Sequence, residues 1–347
     1  MKYSIIVPVF NRPDEVDELL DSLTRQTFHD FEVIIVEDGS TVPCKEVCEK
    51  YAQQLSLSYH AKANSGPGQS RNYGAERAHG TYLIVLDSDV VLPTGYLQAV
   101  EDELQRQDAD AFGGPDCAHD SFTNVQKAIS YSMTSFFTTG GIRGGKKKLD
   151  KFYPRSFNMG IRKEVYERLG GFSKMRFGED IDFSIRIFKA GCACRLFPEA
   201  WVWHKRRTDF RKFWRQVFNS GIARINLYKK YPESLKLVHL LPMVFTVGTG
   251  ILLLCILAGV GLLLAGADFS AAGTLLLGIG SLPLLFYALL LAVDSALQSH
   301  NWQVGWLSVP AAFIQLTGYG CGFLQAWWRR CVCGKSEFAA YEKTFYK

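Results

Sequence analysis

The sequence predicts an α/β fold with a mainly parallel sheet, followed by α-helical membrane segments. Three observations carry that expectation. Strand-like and helix-like patterns alternate through roughly the first two thirds of the chain. The apolar run Tyr82-Leu83-Ile84-Val85-Leu86 stops abruptly at Asp87-Ser88-Asp89, as a buried central strand does where it reaches a ligand-binding edge. Between Lys236 and Arg329 the only charged residues are Asp268 and Asp294.

The elements follow in order. Residues 3–9 are apolar and β-rich, and Asn11, Pro13 and Asp14 then open a helix whose Val16, Leu19, Leu20 and Leu23 share one face. Residues 31–36 form a second strand that also ends in acids, Glu37-Asp38-Gly39-Ser40. Residues 42–52 read as a helix and 57–59 as a short third strand. The glycine-rich loop at 64–72 leads into a helix reaching about residue 78, and the strand at 82–86 comes next. Such β-α-β-α alternation gives a sheet covered on both faces with its site at one edge. Alternating Asp87 and Asp89 can hold a hard divalent cation through oxygen, although Asp and Ser also favour plain solvated turns.

Asp268 and Asp294 cut the C-terminal part into uncharged stretches at 237–267, 269–293 and 295–328. A membrane span needs about 20 apolar residues. The first two qualify, with cores near 240–264 and 274–293. The third, near 304–328, contains Gln315, Gln325, Pro310, Gly318, Gly320 and Gly322 and reads as a span or a re-entrant segment. Basic residues ahead of the first span put the N-terminal side in the cytoplasm; a third crossing would place Arg329, Arg330 and Lys335 outside, whereas a re-entrant or interfacial third segment would keep them inside. Residues 4–10 are too short for a signal peptide and read as the first strand, so a cytoplasmic domain is expected. The nine cysteines suggest no disulfide framework, and Cys192/Cys194 and Cys331/Cys333 lack the spacing of a zinc site.

Helical spacing places Phe210, Phe213, Trp214, Val217 and Phe218 on one face, with Arg206, Arg207, Arg211, Lys212 and Arg215 elsewhere. That pattern predicts a helix lying in an anionic membrane surface. Residues 143–148, rich in Lys and Gly, suggest a loop near lipid phosphates. The expected organisation is a catalytic domain over 1–203, a basic interfacial region over 204–235, a membrane domain over 236–330 and a tail over 331–347.

Over residues 2–228 the chain resembles the family 2 glycosyltransferases, which have the GT-A nucleotide-diphospho-sugar transferase fold. The matching segments, in order, are 4–11, 36–40, Gly68-Gln69-Ser70-Arg71-Asn72-Tyr73-Gly74, Leu86-Asp87-Ser88-Asp89, Asn158-Met159-Gly160, Gly170-Gly171-Phe172 and Gly178-Glu179-Asp180-Ile181-Asp182. Glu37 departs from the family, where many members have Asp. The resemblance implies a nucleotide-sugar donor, a divalent metal (Mg²⁺ or Mn²⁺) and no nucleic-acid partner. Pro8, Phe10 and Asp38 would lodge base and ribose, Asp89 would be the closer metal ligand and Asp87 would lie near the ribose or metal. Gly68 and Arg71 stand at a helix N-terminus that favours phosphate, with Arg71 also able to hold the Asp87/Asp89 carboxylates in place.

The resemblance makes Asp180 the general base, with Glu179 orienting the acceptor and the helix at 181–190 burying Ile181, Ile185 and Phe188. His204, at the end of Trp201-Val202-Trp203-His204, could complete a metal shell as neutral imidazole. The Gln-x-x-Arg-Trp of processive synthases is absent, since residues 213–218 read Phe-Trp-Arg-Gln-Val-Phe, which implies a single addition. The expected function is inverting transfer of one sugar to a lipid-linked glycan or polyprenyl acceptor at the cytoplasmic face of the inner membrane, with membrane lipids as further partners. A polyprenyl-phosphate sugar synthase is the alternative, and a transporter or channel subunit the reading from another class.

Overall fold

The computed structural model describes residues 1–117, 122–139, 154–205 and 207–342. The chain divides into two compact units, one of Met1–Asp120, Lys148–Lys205 and Tyr341–Lys347, the other of Ser121–Lys147 and Arg206–Ala340. The expected 1–203 domain is thus interrupted by a segment that groups with the second unit, and the loop at 143–148 and Arg206 lie outside the described residues.

In chain order the elements are β1 (Tyr3–Val9), α1 (Pro13–Thr24), β2 (Phe31–Asp38), α2 (Lys45–Tyr51), β3 (Leu57–Lys62), α3 (Pro67–Ala75) and β4 (Tyr82–Leu86). Next come β5 (Val90–Val91), α4 (Tyr96–Arg106), β6 (Ala111–Gly113) and β7 (Asp116–Cys117). Two helices of the second unit follow, α5 (Asn124–Thr134) and α6 (Phe136–Thr139). The first unit resumes with β8 (Asn158–Arg162), α7 (Lys163–Arg168), α8 (Glu179–Lys189), β9 (Cys194–Leu196) and β10 (Val202–His204).

Seven strands form one sheet in the order β3-β2-β1-β4-β8-β6-β9. The pairs among β3, β2, β1 and β4 are parallel, whereas β8 runs antiparallel to both β4 and β6. Alternation along β1 explains why the sheet is covered twice: Ile5 and Val7 join Val16, Leu19 and Leu20 of α1, while Ile6 points the other way into a core with Met159, Phe172 and Phe183. Pro13 at the first helical position and Asp14 and Glu15 in the first turn start α1. A second sheet, β5-β10-β7, pairs His204 with Val90.

The second unit adds α9 (Phe210–Lys230), α10 (Leu241–Ala265), α11 (Ser270–Ser299), α12 (Trp302–Trp327) and a short α13 (Glu337–Tyr341) that ends at the boundary between the units. Three of its helices are long and apolar enough to cross a membrane. α10 and α11 pack as an antiparallel hairpin, with Gly280 against Leu252 and Ile256 and Gly259 against Gly273 and Leu277. The aromatic face of α9 was expected in lipid, but Phe213 and Val217 are buried against protein. They pack with Ala128, Ile129 and Met133 of α5 and with Val304 and Ala311 of α12. Gly318 and Gly322 of α12 let Val217 and Phe218 approach, so part of the apolar stripe is taken up by helix packing, while Trp214, Arg211, Lys212 and Arg215 stay exposed.

Gly160 faces Phe112 across the β8–β6 pair, and Phe112 stacks on Phe197 at 4.6 Å. A Cβ at Gly160 would collide with the Phe112 ring. Gly160→Ala is expected to destabilise the first unit by about 1–3 kcal/mol through overpacking, read as a lower thermal midpoint of the purified chain. An unchanged midpoint would mean that the ring can swing aside.

Candidate active site

The parallel strands deliver their acids to one edge. β4 ends at Leu86, and Asp87, Ser88 and Asp89 turn the chain into β5, whose Val90 lies opposite His204. That register brings His204 Nε2 to 3.2 Å from an Asp89 oxygen. Asp87, Asp89 and His204 each offer a ligand atom, all within 4.8 Å of one another. The His204 ring stacks on Phe157 at 4.9 Å, and its Nδ1 is 4.0 Å from Asp116. Asp89 is buried, and its second oxygen accepts from the guanidinium of Arg12. Burial works against the Arg12 charge, but Asp89 outweighs it and holds the pKa above its ordinary value.

A second cluster forms where α3 meets α8. Arg71 is only 3% exposed, so it is no surface residue. It donates to Asp87 at 2.9 Å and to Glu179 at 3.2 Å, and its guanidinium carbon lies 5.1 Å from the Phe172 ring centroid. Gly68 makes this possible, since a Cβ there would stand 3.1 Å from Glu179 Cγ. Gly178 takes the left-handed φ of +89° and starts α8 at Glu179, placing Glu179 and Asp180 in its first turn. Arg155 Nε lies 3.8 Å from Asp180. The inner face of α8 is not Ile181, Ile185 and Phe188 as expected but Phe183 and Ile187, with Asp182 and Ser184. Asp182 can be buried because Ser173 and Arg186 hydrogen-bond it at 2.8 and 3.0 Å, which rotates the helix from the purely apolar solution.

Pro8, Phe10 and Asp38 stand at the ends of β1 and β2. Phe10 is half exposed and Asp38 is buried. The Asp38 carboxylate accepts from Ser65 N–H and Gly66 N–H, both at 2.9 Å, and from Lys62 Nζ at 2.5 Å. It therefore fixes the glycine-rich loop ahead of α3. A carboxylate has about four lone-pair sites, so one remains for a further donor such as a base N–H. Sequence reasoning singled out the acids, Arg71 and His204 but passed over Arg12, Lys62, Arg155, Asp116 and Phe157. Only Arg12 carried a signal, since it follows β1 directly at the sheet edge.

Burial, then repulsion from Asp180, raises the Glu179 pKa, with Arg71 opposing both. A carboxyl whose folded pKa exceeds its unfolded one binds its proton more tightly in the fold. Its contribution is therefore present at low pH and lost as pH rises from 4.5 through the raised value. Glu179→Gln is expected to flatten that part of the thermal-midpoint profile against pH, whereas parallel profiles for the two proteins would remove the assignment.

The sequence model described as "Glycosyl transferase family 2" matches residues 4–170 and so stops short of Glu179. An uncharacterized glycosyltransferase of Bacillus subtilis, EpsJ, is 35% identical over 203 residues, covering 56% of this chain and 58% of its own. The poly(ribitol-phosphate) beta-N-acetylglucosaminyltransferase TarS of Staphylococcus aureus is 41% identical over 93 residues, 26% of this chain and 16% of its own. The chain thus spans less than two thirds of the length of these relatives. The mannosyltransferase PcManGT of Pyrobaculum calidifontis, solved with GDP-Man and Mn²⁺, superposes with a TM-score of 0.54 over 95% of this chain and 88% of that one. At 18% identity this is a likeness of fold alone. The sequence matches fall on the strands and strand-end acids described above, so over residues 4–170 the chain is similar to glycosyltransferase family 2.

Proposed function

We propose that the chain moves a single sugar from a nucleoside-diphosphate sugar to a hydroxyl of a lipid-linked acceptor, with inversion. The reaction would occur at the cytoplasmic face of the inner membrane, in cell-envelope glycan assembly. One observation carries the reading: a single buried arginine ties Asp87, on the donor side, to Glu179, the neighbour of Asp180. Donor and acceptor groups are thereby held in fixed register, which positional catalysis requires. The match to TarS, an N-acetylglucosaminyltransferase by name, supports sugar transfer as the chemistry.

Two carboxylates and an imidazole within 4.8 Å of one another suit Mg²⁺ or Mn²⁺, and the Arg12 guanidinium already on Asp89 marks the place as one that accepts positive charge. Asp87, Asp89 and His204 would hold the ion, which when bound supplies charge neutralisation to the departing diphosphate. Pro8 and Phe10 would border the base, and the free lone pair of Asp38 would accept a hydrogen bond from it. Arg71 turns one donor to Asp87 and another to Glu179, and its role would be to fix those carboxylates. Asp180, a carboxylate at the start of α8, would take the acceptor hydroxyl proton as that oxygen attacks from the face opposite the nucleotide. Glu179, its pKa raised, would orient the acceptor.

The reading is tested by incubating the purified chain with Mn²⁺ or Mg²⁺ and a panel of nucleotide sugars, with release of nucleoside diphosphate as the readout. Chelation and Asp89→Ala should each abolish turnover, and full activity of Asp89→Ala in excess chelator would refute the metal assignment. Asp180→Asn should lower transfer by about 10²- to 10⁴-fold with donor affinity kept. Turnover within a few-fold of wild type would make Asp180 a helix cap.

A further inference from the structure

We propose that the third apolar helix does not cross the membrane. α12 instead lies along the bilayer surface, on the side from which α10 enters, with its uncharged face at the boundary of phospholipid headgroups and acyl chains. Length and composition alone qualify α12 as a span. Its contacts point elsewhere.

A third span would run beside the α10–α11 hairpin through its depth. α12 meets α10 only near the start of that helix in the contacts described: Gly320 against Pro242 and Thr246, Thr246 Oγ1 to the Leu316 carbonyl at 3.4 Å, and Phe313 against Phe245 at 5.6 Å. Four residues further along the same face of α10, a Cβ at Gly250 would have no neighbour within 4 Å. With α11, α12 pairs from the turn that joins them back to Tyr287: Gly305 against Ala292 and Ala296, Ser308 against Ser295 at 2.7 Å, and Phe313 against Tyr287 at 5.8 Å. The helix crosses the hairpin's entry end and continues past it.

What accompanies α12 beyond that crossing is α9. Val217 and Phe218 meet Gly318 and Gly322, and Gly221 meets Tyr319 and Phe323. α9 exposes Arg211, Lys212, Arg215, Lys229 and Lys230, charges that are costly in hydrocarbon and favourable beside headgroups. The stretch of α12 packed along it must share its depth. Past α12, Glu337 accepts from Asn226 of α9 at 3.3 Å, and Tyr341, in the first unit, sets its ring edge-on to Phe177 at 6.0 Å.

The face of α12 that meets α10 through Phe313 and Gly320 is left open on either side of that contact, and its open ends identify its partner. Trp302, Trp306 and Pro310 at its start, and half-buried Leu324 with Trp328 just past its end, recur at helical spacing without a charge among them, and the three tryptophans are 60%, 60% and 58% exposed. Tryptophan at both ends of one face, with lysine and arginine alongside, fits the headgroup boundary, where indole is favoured.

The test is sidedness in right-side-out and inside-out membrane vesicles bearing the full chain. In a variant with its native cysteines replaced by serine, Lys50→Cys marks the first unit, Asp268→Cys the α10–α11 turn and Lys335→Cys the chain beyond α12. With a membrane-impermeant maleimide, Cys at 335 should label in the same vesicles as Cys at 50, and Cys at 268 in the opposite ones. Labelling of 335 together with 268 would mean three crossings and overturn the proposal. If the cysteine-free chain fails to fold, an epitope at the C-terminus of the native sequence answers through added protease. Its removal in the vesicles whose first unit is digested is expected, and its removal only in the opposite ones overturns the proposal.

Discussion

The constraint on which the rest of the site depends is the burial of the Arg71 guanidinium between two carboxylates from distant segments. Removing one partner of a buried ion pair costs about 3–5 kcal/mol, so Arg71, Asp87 and Glu179 hold one another in place. To reach this arrangement α3 must press against the first turn of α8, which the missing Cβ at Gly68 eases, and α8 must begin at Glu179, which the left-handed Gly178 sets. Behind them the sheet supplies a rigid floor: Leu86, Ile84 and Ile5 are wholly buried, so the strand end bearing Asp87 cannot drift.

The small sheet solves a different problem. His204 is more than a hundred residues from Asp89, yet pairing β10 with β5 sets the two side by side, and Phe157 then limits the tilt of the imidazole. Two sheets thus meet at one pair of acids, the large one fixing Asp87 and the small one fixing His204.

What the sequence disclosed follows from what is local. Acids directly after apolar runs, a glycine loop before a helix and uncharged stretches of about 20 residues are contiguous patterns, and the sheet edge with Asp38, Asp87 and Asp89 was readable from them. Arg12, Lys62 and Asp116 reach the acids from strand ends and loops that only tertiary pairing joins. The face of α8 was misjudged because hydrogen bonds make Asp182 a buried residue, which an apolar periodicity cannot register. For α9 the periodicity found the apolar face correctly, but spacing says which side is greasy and not what covers it. Here glycines on α12 invite protein contact where lipid was expected.

The Arg12–Asp89 contact has a consequence for how a metal would arrive. The acids at the end of β4 are never a bare negative cluster waiting for a partner, because a tethered cation already sits on one of them. A metal at this place would join that guanidinium, since Arg12 engages one oxygen of Asp89 and the imidazole of His204 lies beside the other, and the two cations would share the carboxylate's charge.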